Sequence, residues 1–457
     1  MFAKLVLISL FVTIVRLGGT QGAICTYEMI GQDYTCTIKN QEILTDNDTY
    51  TVTGQHIPAH GNIDVVAIRS DSSTIVEFPT YVINFFLNVR SVVLEMTNMR
   101  SFSRIIARCP ALMLVQLNLN FIDNIPDRIF MNCQMLVSLS MDSNTVNTID
   151  VNAFQGASGL IMLSLGSNRV ENINPLTFAP VPRLQNINLQ ANLMTAITSA
   201  TFQHLPLLNQ LNLVNNRITA WDNTILDNNP QMLRLFLAGN QISSLNLNAF
   251  STTPLLEQLS IGNLMTEIPL FPLPQLQVLQ MDNNRLTTVT AARFGPMPNL
   301  REISLAGNQI TSADFTLVAV SPLTRVETLR LNNNLLATIP DHSLTMLTSL
   351  ATLNLANNRL ERLNTNAIRP ISQMRNLILT SNQINRMERA MFVNITNLNV
   401  LARGNRCFNN DVLISSDTDF NNRVASMLGE CLSFGVNLKV NTLILVFSML
   451  ASFAFKM

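Results

Sequence analysis

Residues 160–170 read Leu-Ile-Met-Leu-Ser-Leu-Gly-Ser-Asn-Arg-Val, and residues 350–360 read Leu-Ala-Thr-Leu-Asn-Leu-Ala-Asn-Asn-Arg-Leu. Both are one pattern, L-x-x-L-x-L-x-x-N-x-L, and its asparagine returns almost every 24 residues. The series is Asn120, Asn144, Asn168, Asn192, Asn216, Asn240, Asn263, Asn284, Asn308, Asn334, Asn358, Asn382 and Asn405. A fixed period of this length marks a solenoid, in which each unit is too small to bury its own apolar face and must stack on its neighbours.

Within a unit the L-x-L core predicts a short strand whose leucines point inward. Stacking these strands gives a parallel sheet, driven by burial of the leucine face. The asparagine stands where the chain turns. Its amide holds two donors and one acceptor, enough to satisfy backbone groups that the turn would otherwise bury unpaired. Ten residues after the asparagine come Phe130, Phe154, Phe178, Phe202, Phe250, Phe294 and Phe392, with Leu226, Val318, Leu344 and Ile368 in the same slot. These predict an apolar spine on the opposite, convex side. The fold expected is an α/β solenoid, a horseshoe with a parallel concave sheet and about 14 repeats.

The frame resembles the 24-residue type of extracellular leucine-rich repeat, found in Toll-like receptor ectodomains and in adhesion proteins such as connectin and chaoptin. Weaker copies precede the main series, with Ile63, Val66 and Ile68, then Val89, Val92 and Leu94, where Thr97 replaces the asparagine. The resemblance implies a binding surface on the concave face and disulfide-bonded caps. Caps in the family usually carry four clustered cysteines, whereas each end here has two.

The organisation expected is a signal peptide at 1–22, an N-terminal cap at 23–62, repeats at 63–405, a C-terminal cap at 406–432 and a terminal segment at 433–457. Lys4, the apolar run Leu5 to Val15 and the small residues up to Gly22 have the form of a secretory signal. The second apolar run, Leu443 to Phe455, is short for a spanning helix. With small residues some ten positions upstream it reads as a GPI-attachment signal at Ser433, with Gly435 and Asn437 as other attachment positions. A single-pass anchor and secretion are the alternatives. These features place the protein at the cell surface, on the extracellular side.

Six cysteines in a chain routed to an oxidising compartment predict disulfides. Cys109 and Cys133 each lie eleven residues before their asparagine, so the register stacks them within bonding distance. Cys25 with Cys36, and Cys407 with Cys431, flank the repeats and would close caps over exposed sheet edges. The spacing offers no C-x-x-C, and His56, His60, His204 and His342 are scattered, so no metal and no other cofactor is expected. Asn47 and Asn394 head N-glycosylation sequons.

Charge is balanced, 29 basic against 29 acidic residues, which argues against a nucleic-acid partner. Positions between the leucines are mostly Asn, Gln and Ser. The charges among them are Asp142, Arg234, Glu257, Asp282, Arg301, Glu302, Glu327, Arg330 and Arg375, and they form no basic stripe. Two groups break the uncharged background as ligand-binding candidates. Leu233, Arg234 and Phe236 combine residue types that dominate interface hot spots. Arg301, Glu302, Glu327 and Arg330 form a mixed-charge patch. The bland alternative is that Phe236 is shielded by neighbours and that the charges pair among themselves.

No clustered nucleophile, base or metal set is present, so the chain is not read as an enzyme. The leading reading is a cell-surface recognition protein, an adhesion molecule or co-receptor that binds an extracellular protein on its concave face. An innate-immune recognition or regulatory protein is the alternative. The chain has no heptad run for a coiled-coil extension, which favours the first.

Overall fold

The computed structural model describes residues 23–43, 52–102, 106, 109–315, 323–368, 373–387, 397–406 and 412–414. The chain divides into two compact units. Unit 1 is Met1–Gln241 with Ala249–Leu255, and unit 2 is Ile242–Asn248 with Leu256–Met457. The division falls at an irregular repeat, where Asn263 follows Ile261 by two residues instead of three.

Unit 1 opens with a hairpin of β1 (Cys25–Ile30) and β2 (Asp33–Lys39), antiparallel to each other. Strand β2 then pairs in parallel with β3 (Ala67–Asp71), the first strand of the repeat ladder. The ladder continues in parallel through β4 (Ser91–Val93), β5 (Leu114–Gln116), β6 (Ser138–Ser140), β7 (Met162–Ser164), β8 (Asn186–Asn188), β9 (Gln210–Asn212) and β10 (Arg234–Phe236). In most strands the central residue is buried and the outer two are not: Leu139, Leu163, Ile187, Leu211 and Leu235 line the core. Each such side chain contributes about 1.5–3 kcal/mol by leaving water.

Unit 2 repeats the plan with β11 (Gln258–Ser260), β12 (Val278–Gln280), β13 (Glu302–Ser304), β14 (Thr328–Arg330), β15 (Thr352–Asn354), β16 (Asn376–Ile378) and β17 (Leu398–Leu401), all parallel. A final strand, β18 (Val412–Ile414), runs antiparallel to β17. An antiparallel strand therefore covers the β2 edge of unit 1 and the β17 edge of unit 2, limiting the open pairing that a parallel ladder would offer.

The asparagine ladder is buried from Asn120 to Asn382. Asn216 Nδ2 donates to the carbonyls of Leu189 at 2.9 Å and Leu213 at 3.1 Å, and its Oδ1 accepts from the Met194 N–H at 3.1 Å. One side chain thus satisfies three backbone groups and ties each repeat to the one before it. In unit 2 Asn334 makes the same three bonds, to Leu305, Leu331 and Ile310, although its repeat is longer by two residues. The added length is absorbed outside the turn. Where Thr97 replaces asparagine, the Oδ1 of Asn120 accepts from Thr97 N, Thr97 Oγ1 and Met99 N.

The residue before most ladder asparagines lies in the left-handed region, for example Ser143, Ser167, Asn215, Gly239, Asn283, Gly307, Asn333 and Asn357. That conformation disfavours a residue with a Cβ by roughly 1–2 kcal/mol and suits Gly and Asn best. At Gly239 a Cβ would also stand 2.1 Å from Asn215 Oδ1. Here the spacing pattern of leucines gave no signal.

On the return side Phe130, Phe154, Phe178, Phe202, Phe250 and Phe294 are fully buried, with Leu226, Leu344 and Ile368 in the same slot. Phe154, Phe178 and Phe202 stack with centroids 6.1 and 6.2 Å apart. Trp221, in an Ile/Leu slot, is buried 6.4 Å from Phe250. Helix is scarce among the described residues: α-helices occur at Thr80–Phe85 and Thr365–Ile368, and the return side is otherwise mostly turns. Turns leave the Phe spine, rather than helix faces, to close the core.

Among the described residues two disulfides are present, Cys25–Cys36 within the β1–β2 hairpin and Cys109–Cys133 between adjacent repeats, with Cα atoms 5.0 and 5.1 Å apart. Residues 1–22, Asn47, Val318, Phe392, Asn394, the Cys407–Cys431 pair, Ser433 and the segment 433–457 lie outside the described residues. Among the described residues no helix is long and apolar enough to cross a membrane.

Candidate functional site

The face of the ladder that the sequence assigns as concave carries the residues between the leucines. In unit 1 these side chains are joined by hydrogen bonds from repeat to repeat. Asn118 Nδ2 donates to Glu95 Oε1 at 2.7 Å, and Asn118 Oδ1 accepts from Ser140 Oγ at 2.7 Å and from the Asp142 N–H at 2.8 Å. Asp142 then accepts from Ser164 Oγ at 2.7 Å and from the Gly166 N–H at 2.5 Å. Asn188 Nδ2 donates to Ser164 Oγ at 2.9 Å, and Asn212 Nδ2 donates to Gln190 Oε1 at 3.1 Å. Gly166 makes room for this crowding, since a Cβ there would stand 2.9 Å from Asn188 Nδ2 and 3.1 Å from Asp142 Oδ1.

A shallow cavity of about 360 Å³ opens on this face between β6 and β9, lined chiefly by Ser138, Ser140, Met162, Ser164, Asn186 and Gln210. The strand register places Ser138, Met162, Asn186 and Gln210 side by side. Neighbouring strands are about 4.8 Å apart, so these groups form an evenly spaced row. The side chains of Asn186 and Gln210 have no protein partner among the described residues. Bonded side chains such as Asn188 and Asn212 beside the free amides of Asn186 and Gln210, on the same face, make a partly pre-organised polar surface.

The candidates Leu233, Arg234 and Phe236 border this region. Strand β10 sets Arg234 beside Gln210 and Phe236 beside Asn212. Arg234 is exposed and has no ion-pair partner among the described residues, while Leu233 and Phe236 are half-buried. The candidates of unit 2 pair among themselves: Arg301 Nη1 lies 2.9 Å from Glu327 Oε1, and Arg330 bonds Glu302. They are two separate ion pairs, each linking adjacent strands. Asp142 and Asp282, two of the charges between the leucines, are both held by neighbouring repeats. Asp282 accepts from Ser304 Oγ at 2.6 Å and from the Ala306 N–H at 2.7 Å, repeating the geometry of Asp142.

That geometry is a clip the leucine frame does not show, in which an Asn or Asp is followed 22 residues later by a serine. It occurs at Asn118 and Ser140, Asp142 and Ser164, and Asp282 and Ser304. The spacing is readable in the sequence once the strand register is known.

Titratable groups with displaced pKa values lie elsewhere. Burial, and then the neighbouring Tyr34, raise the Tyr27 phenol in the cap. The Thr37 hydroxyl, and after it Lys39, lower Glu28, and bonds from Thr224 lower Asp222. Two of the four histidines lie in the cap. His56 stacks on Tyr27 with centroids 3.9 Å apart, and His60 stacks on Tyr34 at 4.4 Å. Among the described residues no group of three His, Cys, Asp or Glu could hold a metal.

The leucine rich repeat family model matches residues 110–170, 158–218 and 324–384, and the model described as Leucine Rich repeats (2 copies) matches 298–343. No curated protein matches the sequence significantly. Among solved structures, a leucine-rich repeat protein of Leptospira interrogans is 22% identical with a TM-score of 0.66, the match covering 80% of this chain and 89% of that one. The LRIM1/APL1C complex gives 18% identity and a TM-score of 0.55, covering 95% of this chain and 80% of that one. The TLR13–ssRNA13 complex gives 17% and 0.58, covering 81% and 63%. At such identities the likeness is one of fold. Repeat frame, asparagine ladder and shared fold agree that the chain has the leucine-rich repeat fold, and the family models match it over 110–218 and 298–384.

Proposed function

We propose that this chain is a cell-surface recognition protein, an adhesion molecule or co-receptor, that binds an extracellular protein through the ladder face of unit 1. The observation that carries the reading is the row Ser138, Met162, Asn186 and Gln210, which runs beside a hydrogen-bonded row on the same face and includes the unpaired amides of Asn186 and Gln210. Neutral, pre-organised polar surface suits recognition of another protein's backbone and polar side chains, with Arg234 and Phe236 supplying anchors at the margin. The oxidised cysteines are consistent with an extracellular setting. The segment 433–457 is read as a GPI-attachment signal at Ser433, and phosphatidylinositol-specific phospholipase C should then release the protein from intact cells.

A second reading, innate-immune recognition, draws on the Toll–Spatzle complex, a molecular hub in Drosophila development and innate immunity, whose fold this chain matches over 77% of its length with a TM-score of 0.55. Both readings use the same face. The test is a binding screen of the purified protein against extracellular domains and microbial surface components. Any ligand found is then measured against Asn186→Arg/Gln210→Arg and against Arg301→Ala. The double variant should weaken binding by about 2 kcal/mol or more, as loss of interface hot spots does. Full affinity in the double variant would move the site off this face.

A further inference from the structure

The left-handed position before each turn residue is filled in most repeats by Gly, Asn, Ser or Ala. Two repeats depart from this. Leu119 has φ +57°, and Met96, which precedes Thr97, has φ +54°. Burial does not compensate, for Met96 is 70% exposed and Leu119 50%. Two residues on, Phe121 is also 50% exposed, and the guanidinium of Arg100 lies 5.8 Å from its ring centroid. The Met96 N–H bonds the Asn118 carbonyl at 3.2 Å and the Leu119 N–H bonds that of Asp142 at 2.9 Å. Met96 and Leu119 are therefore equivalent positions on adjacent repeats, side by side at the C-terminal edge of β4 and β5.

A bulky apolar residue in a disfavoured conformation, with little of the fold packed on it, points to a use outside the folded chain. We propose that Met96, Leu119, Phe121 and Arg100 form a second docking site, at the sheet edge, for a segment of a protein partner that carries apolar side chains beside a carboxylate. The site is independent of the ladder-face reading. Charge selects the occupant. Arg100 meets no carboxylate among the described residues, and its guanidinium lies against the Phe121 ring. An incoming carboxylate would complete Arg100 with a charge-assisted bond while the apolar neighbours cover the three side chains. A second copy of this chain fits poorly. Only 70% of Met96 and 50% each of Leu119 and Phe121 are exposed, an area small beside the roughly 800 Å² per partner of a stable dimer, which suits a short segment rather than the broad face of a second copy. An anionic membrane usually recruits a cluster of about 4–8 Lys or Arg, and the proposed site holds one, Arg100.

The experiment pans a random displayed peptide library against the full-length protein, with Met96→Asn/Leu119→Asn/Phe121→Thr as the counter-target. Enriched peptides should carry Asp or Glu beside Leu, Ile, Phe or Trp. Resynthesised, they should bind the native protein about ten-fold or more tighter than the triple variant, the scale of a lost hot spot, and lose affinity for Arg100→Gln. In parallel, Leu119→Asn should melt at or above the native temperature, because Asn tolerates the left-handed conformation better. The proposal fails if nothing is enriched over the triple variant, or if enriched peptides lack an acidic residue. It also fails if phosphatidylserine vesicles retain the protein through Leu119. A lower melting temperature for Leu119→Asn would show that Leu119 serves packing, and would remove the premise.

Discussion

On the ladder face of unit 1, Ser140, Ser164, Asn188 and Asn212 are joined by amides and hydroxyls around Asp142. On the same face of unit 2 the clip of Asp282 and Ser304 is accompanied by two ion pairs, Arg301–Glu327 and Arg330–Glu302. Beneath both faces lie the same leucines and the same three bonds from each asparagine. The difference teaches that the repeat frame constrains only what is buried. The outer residues of each three-residue strand are free to vary without touching the core, and this is how one scaffold supports different surfaces.

The largest effect expected on these faces is at the clips. Asp142→Ala should cost about 1–3 kcal/mol, because the Gly166 N–H and the Ser164 hydroxyl lose their acceptor. Asp282→Ala should cost about the same in unit 2 for the same reason. Urea denaturation of both variants checks this, and a large gap between them would break the claim of a shared device.

A smaller effect separates the faces. A double-mutant cycle on Arg330 and Glu302 should give a coupling of about 0.2–1 kcal/mol, as exposed pairs do. That coupling should shrink at about 1 M salt, whereas a cycle on Ser164 and Asn188 should barely respond. Salt-insensitive coupling at Arg330 would mean that the pair is held by burial rather than by charge.

The smallest effect is in the cap. Glu28 has its pKa lowered, first by the Thr37 hydroxyl and then by Lys39. A carboxylate lowered in the folded state adds stability that is present above its ordinary range and lost as pH falls through the folded value. Acid titration should therefore show a slight loss of stability in the native protein that is absent from Glu28→Gln.

Much of the fold was legible because its signals are periodic. Leu211 and Asn216 recur in register with their equivalents, and Cys109 and Cys133 occupy one slot on successive repeats. What escaped the sequence depends on partners 22 residues away or on backbone conformation. Asp142 reads as an exposed charge until Ser164 is seen beneath it. Leu119 reads as one more leucine until its φ is known. Arg301 and Arg330 had an open choice between ligand and neighbour, and side-chain geometry, which no spacing encodes, pairs them with Glu327 and Glu302.

The account rests on a division between a buried amide ladder that holds the repeats together and an outer row that is free for recognition. Asn216 and Asn212 are four residues apart in one repeat and test that division directly. Asn216→Ala should destabilise by roughly 1–3 kcal/mol, since it strands the Leu189, Leu213 and Met194 backbone groups. Asn212→Ala, which removes part-buried bonds to Gln190 and from the Val214 N–H, should cost less, about 0.5 kcal/mol. Denaturant unfolding of the two variants gives the comparison, and equal losses, or a larger one at Asn212, would contradict the assignment of inside and outside on which the account depends.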